Sequence, residues 1–152
     1  MPQGVYIICS ESGAIDRRTN AISIFGVIDT IRFASVSEVS DAKNLPGVSK
    51  PWIDIRTTAV WRCEEDELGE AYEHQTTFSI PGDEHKRIVG EGSFVFKTPL
   101  HRFVIDFGGP VFNQAGVIRI ENRIRKLGDD DWQEMAYEIR VEKISLSEKP
   151  ST

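Results

Sequence analysis

The stretch that decides the fold is AIDRRTNAISIFGVIDTIRF, residues 14–33. A polar turn, DRRTN, leads into a run dense in β-branched residues, the strongest strand signal in the sequence. The apolar side chains of this run occupy even positions before Gly26 and odd positions after it. Because one extra residue exchanges the two faces of a strand, a glycine at this change predicts a β-bulge. The predicted inward side chains are Ile22, Ile24, Val27, Ile31 and Phe33.

The rest of the chain shows the same preference for strands, since apolar residues mostly alternate with polar ones. We expect an all-β fold, a two-sheet antiparallel β-sandwich of about eight strands, with a closed β-barrel as the alternative. One domain, residues 1–146, precedes a flexible tail, residues 147–152. The long connection at 34–51 has room for one short helix. The predicted strands are 4–9, 21–33, 52–63, 72–80, 87–97, 101–107, 117–127 and 132–144.

The composition restricts the class of partner. The 152 residues carry a formal net charge of −6, whereas nucleic-acid binding needs clustered Lys and Arg. No apolar run approaches the roughly 20 residues that span a membrane, and the start of the chain lacks the basic region of a signal peptide. We therefore expect a cytoplasmic protein with reduced thiols at Cys9 and Cys63; a buried bridge between them is the alternative.

The last two predicted strands form a hairpin around the turn GDDD, and their outward faces carry many charges. Opposite charges directly across antiparallel strands stabilise a register by about 0.2–1 kcal/mol per pair, and like charges destabilise it. We therefore predict a register that avoids placing Glu121 against Glu138. The predicted pairs are Arg123 with Glu138, Glu121 with Arg140 and Arg119 with Glu142.

Two motifs carry a resemblance to a known family. The turn has the form D-x-x-T-x, and the strand after it has the form x-[LI]-S-[LI]-x-G-[VIF]-x-D-x-I. The matching residues are Asp16, Thr19, Ile22, Ser23, Ile24, Gly26, Val27, Asp29 and Ile31. In these motifs the chain resembles a family of uncharacterised bacterial and phage β-sandwich proteins, a domain of unknown function. The resemblance implies immunoglobulin-like strands and no activity, and it departs at residues 116–118, where GVI replaces G-x-[YF].

Acidic loops predict a metal site. In a simple antiparallel run, the loops after alternate strands meet at one end of a sandwich. Two such loops, residues 64–70 and 128–131, are acidic, and the first loop adds an aspartate. Since Ca²⁺ binds six to eight oxygens, loops that share an end are suited to hold it; solvated acidic turns are the alternative. The candidate ligands are Asp16, Glu64, Glu65, Asp66, Asp129, Asp130 and Asp131.

Three aromatic residues outside the predicted core are candidates for partner binding. Trp132 stands beside the last turn, Trp52 joins the long connection to its strand, and Phe112 lies in the loop GGPVFNQAG. Loops on a sandwich scaffold commonly carry binding function, although aromatic side chains also cover the bases of loops. If the loops carry binding function, these three residues are expected to form part of a binding surface.

The sequence carries no catalytic or cofactor motif, so no catalytic residue is assigned. Cys63, His74 and His101 would form a zinc site only if the fold brought them together; a core histidine beside a buried thiol is the alternative. These observations favour a non-enzymatic binding or structural module that engages a protein partner or itself, with no nucleic-acid or membrane partner. A Ca²⁺-dependent or carbohydrate-binding module is the alternative, and a hydrolase with an unrecognised site is a third hypothesis.

Overall fold

A computed structural model describes residues 1–19, 21–34, 54–108 and 114–144, which form two β-sheets that are not closed into a barrel. The all-β class is confirmed, and the barrel alternative is wrong. In spatial order the four-stranded sheet contains β2 (Ile22–Val27), β1 (Gln3–Ile15), β4 (Asp54–Arg62) and β7 (Leu100–Gly108). The five-stranded sheet contains β3 (Thr30–Ala34), β9 (Gln133–Ile144), β8 (Gly116–Lys126), β5 (Ala71–Ile80) and β6 (Asp83–Val95).

The core lies between the two sheets, and the alternation read from the sequence identifies most of it. Apolar side chains at every second position of β4, β8 and β9 are nearly inaccessible to solvent. One face of each strand is therefore committed to the core, as expected for an antiparallel sheet. The buried side chains include Ile55, Ala59, Trp61, Ile118, Ile120, Ile124, Ile139 and Val141.

The predicted second strand, residues 21–33, is in fact two strands in different sheets. The backbone N–H of Ile28 donates to Cys9 in the four-stranded sheet over 2.9 Å. The backbone carbonyl of the next residue, Asp29, accepts a hydrogen bond from the backbone N–H of Arg140 in the five-stranded sheet over 2.8 Å. Beyond this crossing, β3 runs parallel to β9. The apolar side chains change parity because the chain changes sheets, so Ile28 is buried and Val27, predicted inward, is 57% exposed.

Gly26 lies in an unbroken register, so the bulge predicted there is wrong. The pairs Ser12–Phe25 and Ser10–Val27, on either side of it, have the same offset. No extra residue is present, but Gly26 has a φ of 64°, a left-handed conformation that side chains disfavour. The glycine thus provides a local change of backbone direction without changing the pairing.

A β-bulge does occur in β6. Thr76 pairs with Gly90 while its neighbour Thr77 pairs with Ile88, which leaves Val89 as the extra residue. Val89 packs against the core, and Ile88, inward in a regular alternation, is 54% exposed. The bulge therefore gives the edge strand β6 an exposed apolar residue.

The hairpin of β8 and β9 adopts a different register from the one predicted. Arg119 pairs with Glu138 and Arg123 pairs with Glu134, while Glu121 lies opposite Ala136. Opposite charges still meet, since Arg119 Nη1 lies 3.0 Å from a carboxylate oxygen of Glu138. Each residue of β8 therefore pairs with a residue of β9 that lies four positions earlier in the chain than predicted.

Several predictions fall outside the described residues. They are the helix in the connection 34–51, the surroundings of Trp52 and Phe112, and the tail at 147–152. In the part of the chain that the structure describes, no helix is long and apolar enough to cross a membrane.

Candidate functional site

The structure places the predicted calcium ligands in separate local arrangements. Asp16 accepts hydrogen bonds from the backbone N–H groups of Thr19 and Arg18, both over 2.8 Å, and these bonds lower the pKa of its carboxyl. Its carboxylate therefore closes its own turn. Among the described residues, no group of three or more His, Cys, Asp or Glu side chains is placed to hold a metal ion.

The two acidic loops do adjoin each other. The backbone N–H of Leu127 donates to Ala71 over 2.9 Å, and Lys126 Nζ lies 2.9 Å from a carboxylate oxygen of Glu70. The side chains of Glu64, Glu65, Asp66, Asp129, Asp130 and Asp131 are exposed. Lys126 at the end of β8 therefore compensates part of the negative charge where the two loops meet.

The candidate zinc residues belong to an aromatic cluster. His74 stacks on Phe103 with ring centroids 4.3 Å apart, and His101 lies 4.6 Å from the same ring. Burial lowers the pKa of both histidines, and for His74 the neighbouring His101 adds to this effect. Cys63 is buried in the same cluster. These contacts agree with core histidines beside a buried thiol.

Both cysteines are free and buried. Burial raises the pKa of Cys9 to about 11, even though its sulfur lies 3.5 Å from the hydroxyl of Thr57. Burial is also the main cause that raises the pKa of Cys63. Because the thiolate is the reactive form of cysteine, these environments keep both thiols protonated near neutral pH.

A groove of about 940 Å³ lies on the outer face of the four-stranded sheet. Val60 on β4 and Val104 on β7 form part of its floor, since their inward neighbours Ala59 and Phe103 belong to the core. Most of its lining is apolar. The lining residues are Val5, Tyr6, Ile15, Thr19, Val60, Thr98, Pro99, Leu100, His101, Arg102 and Val104.

The tip of the β1–β2 hairpin forms one wall of this groove through Ile15 and Thr19. Arg56 holds the hairpin against the sheet, because its Nη1 donates to the carbonyl of Gly13 over 2.5 Å. The same guanidinium binds both carboxylate oxygens of Asp106, over 2.6 and 2.7 Å.

Large apolar side chains in the groove remain open to solvent. Leu100 is 55% exposed, Val5 51% and Ile15 47%. Among the outward positions of β7, Leu100 and Val104 carry apolar residues where a solvated face would carry polar ones, and Arg102 and Asp106 are charged. These two apolar residues are the signal in the sequence that the prediction missed, because it used only the inward side chains of this strand. A contiguous exposed apolar surface of this kind marks an interaction site in many proteins.

A second, smaller concavity of about 360 Å³ lies on the outer face of the five-stranded sheet, beside Trp132. The guanidinium carbons of Arg123 and Arg125 lie 4.5 and 4.6 Å from the centroid of the Trp132 ring. Arg125 Nε donates to Glu73 over 2.7 Å, and Arg123 Nη2 donates to Gln75 over 2.5 Å. Of the three aromatic candidates, Trp132 is the one that the described residues include, and it lines a cavity.

No protein-family model matches this chain, and no curated protein gives a significant match to it. The resemblance to uncharacterised bacterial and phage sandwich proteins therefore stays a prediction.

Proposed function

We propose that this protein is a non-enzymatic binding module with an immunoglobulin-like scaffold, and that it engages an extended apolar segment of a protein partner. The segment adds to the free edge of β7 and places side chains in the neighbouring groove. The observation that carries this proposal is the exposed apolar lining of the groove beside an edge strand.

The strand order supports the immunoglobulin-like scaffold. The series β9-β8-β5-β6 corresponds to strands G, F, C and C′ of a variable-type domain, and β1-β4-β7 corresponds to A, B and E. The chain departs from antibody domains in its core, since its buried Trp61 lies on β4 and its two cysteines are free. The free thiols support a cytoplasmic location.

The edge of β7 supports an extended partner. Among the described residues β7 pairs with β4 and with no other strand, so one side of its backbone is open to hydrogen bonds. An added strand gains affinity from the main chain and specificity from pockets that take alternate side chains. Leu100 and Val104 both face the groove along β7, with Arg102 at the alternate position between them, and so provide such a surface.

The two edges of the five-stranded sheet are less suited to an apolar strand. β6 carries five charged residues within Asp83–Val95, and charged side chains on an edge discourage pairing. The edge strand β3 is five residues long. β7 combines nine residues with an apolar groove on its outer face.

The proposal is tested by partner capture with matched variants. The tagged wild-type protein is compared with Leu100→Lys, which places a charge in the groove, and with Ile88→Lys as the control. Leu100 and Ile88 are 55% and 54% exposed and lie in different sheets, so the two changes are equally tolerable to the fold. We expect a partner retained by the wild type and by Ile88→Lys and lost with Leu100→Lys. Equal retention by both variants, or no specific partner, would contradict the proposal.

A further inference from the structure

The concavity beside Trp132 has a chemistry different from that of the apolar groove. It is open where β6 supplies small residues, because Gly92 and Ser93 lie opposite His74 and Glu73 on β5. Its walls are polar side chains and one indole ring. The lining residues are Glu73, His74, Gln75, Glu91, Gly92, Ser93, Arg125 and Trp132.

The polar groups of this site are held in place by each other. Gln75 accepts from Arg123, and its amide donates to Glu91 over 3.4 Å. Arg125 forms its ion pair with Glu73 and contacts the ring of Trp132. Each guanidinium has five N–H donors and each carboxylate has about four acceptor positions, so groups remain for a ligand after these bonds are made. A site whose groups are already ordered loses less entropy when it binds.

The balance of charge indicates the class of ligand. The lining carries two anionic groups, Glu73 and Glu91, and one cationic group, Arg125, and Arg123 stands beside them at the ring of Trp132. With Arg123 included these four charges balance, so together they favour neither a cation nor an anion. A matching ligand is neutral, carries several hydroxyl groups for the carboxylates and guanidiniums, and has one apolar face to lie on the indole. A pyranose ring has all three properties.

We infer that the concavity formed by Trp132, Arg125, Glu73 and Glu91 is a binding site for a neutral sugar, separate from the apolar groove. The pyranose lies with its C–H face toward the indole of Trp132, whose ring is also contacted by the guanidiniums of Arg123 and Arg125. The carboxylates of Glu73 and Glu91 accept hydrogen bonds from its hydroxyl groups, and the guanidinium of Arg125 donates to their oxygens.

The test is NMR titration of the ¹⁵N-labelled protein with methyl glycosides of glucose, galactose, mannose and N-acetylglucosamine at millimolar concentrations. We expect at least one of them to shift the indole N–H of Trp132 and the amides of β5 and β6 at this site. Trp132→Ala should weaken binding at least about tenfold. Ser93→Tyr, which fills the hollow from an exposed edge position, should do the same.

Arg32→Gln is the matched control, because it removes an ion pair with Glu142 on the same sheet and leaves the concavity intact. It should bind the sugar as the wild type does. A methyl glucuronide and glucosamine, which carry a negative and a positive charge, should bind more weakly than the neutral glycosides. The inference is overturned if no neutral glycoside binds, if binding persists in both Trp132→Ala and Ser93→Tyr, or if a charged sugar binds best.

Discussion

Trp61 on β4 donates a hydrogen bond from its indole Nε1 to Oδ1 of Asn122 on β8, over 2.6 Å. The amide of Asn122 donates in turn to the hydroxyl of Thr76 on β5, also over 2.6 Å. All three side chains are at most 1% exposed, so a polar chain crosses the core and connects the two sheets. Buried polar groups cost free energy unless they are paired, and here each of these atoms finds a partner.

We expect Asn122→Leu to lower the free energy of unfolding by about 2–3 kcal/mol, because it leaves the indole N–H of Trp61 and the hydroxyl of Thr76 buried without their partner. Urea denaturation followed by circular dichroism measures the change. The double variant with Trp61→Phe separates the hydrogen bond from packing. Its loss should be smaller than the sum of the two single losses, and simple additivity would show that the bond contributes nothing.

Gly26 should be sensitive to the shape of its substituent, because its φ of 64° lies in the left-handed region. We expect Gly26→Val to cost about 1–2 kcal/mol of unfolding free energy and Gly26→Asn to cost clearly less, since asparagine tolerates this conformation better. Thermal or urea unfolding of the two variants provides the measurement. A valine variant as stable as the asparagine variant would mean that the backbone does not adopt this conformation.

The paired histidines make stability depend on pH. Burial lowers the pKa of His74 and of His101 below the ordinary 6.5, so the unfolded chain takes up protons first as pH falls. The free energy of unfolding should therefore decrease from pH 6.5 down to about pH 5, before most carboxylates titrate. His74→Phe should flatten this decrease, and His85→Gln, at an exposed position, should keep it. An unchanged slope in His74→Phe would exclude the buried histidine as the cause.

The fold class was predictable from the sequence, and the hairpin register was not. Outward arginines at 119 and 123 and glutamates at 134, 138 and 142 recur every four residues, so a shift of four residues restores opposite charges. Charge pairing cannot distinguish such registers. The error also hid the neighbours of Trp132, because the observed register places Trp132 across from Arg125, one step beyond the pair Ile124–Gln133.

The segment at 14–33 shows a second limit of the same kind. The apolar side chains of a run change from even to odd positions either at a β-bulge or where the chain passes from one sheet to the other. The sequence pattern is the same in both cases. Ile28 and Asp29 bond to different sheets through their backbones, which no side-chain pattern records. The bulge at Val89 has no signal in the sequence either, since regular alternation places Ile88 inward.

The proposal that the free edge of β7 and its groove form the binding surface is tested most directly by amide hydrogen exchange. Exchange is measured for the wild-type protein alone and with its captured partner, at a partner concentration well above the dissociation constant. We expect the alternate amides of Leu100–Gly108 that point away from β4 to gain protection on binding, because an added strand supplies acceptors for their N–H groups. Protection confined to the five-stranded sheet, with β7 unchanged, would contradict the proposal.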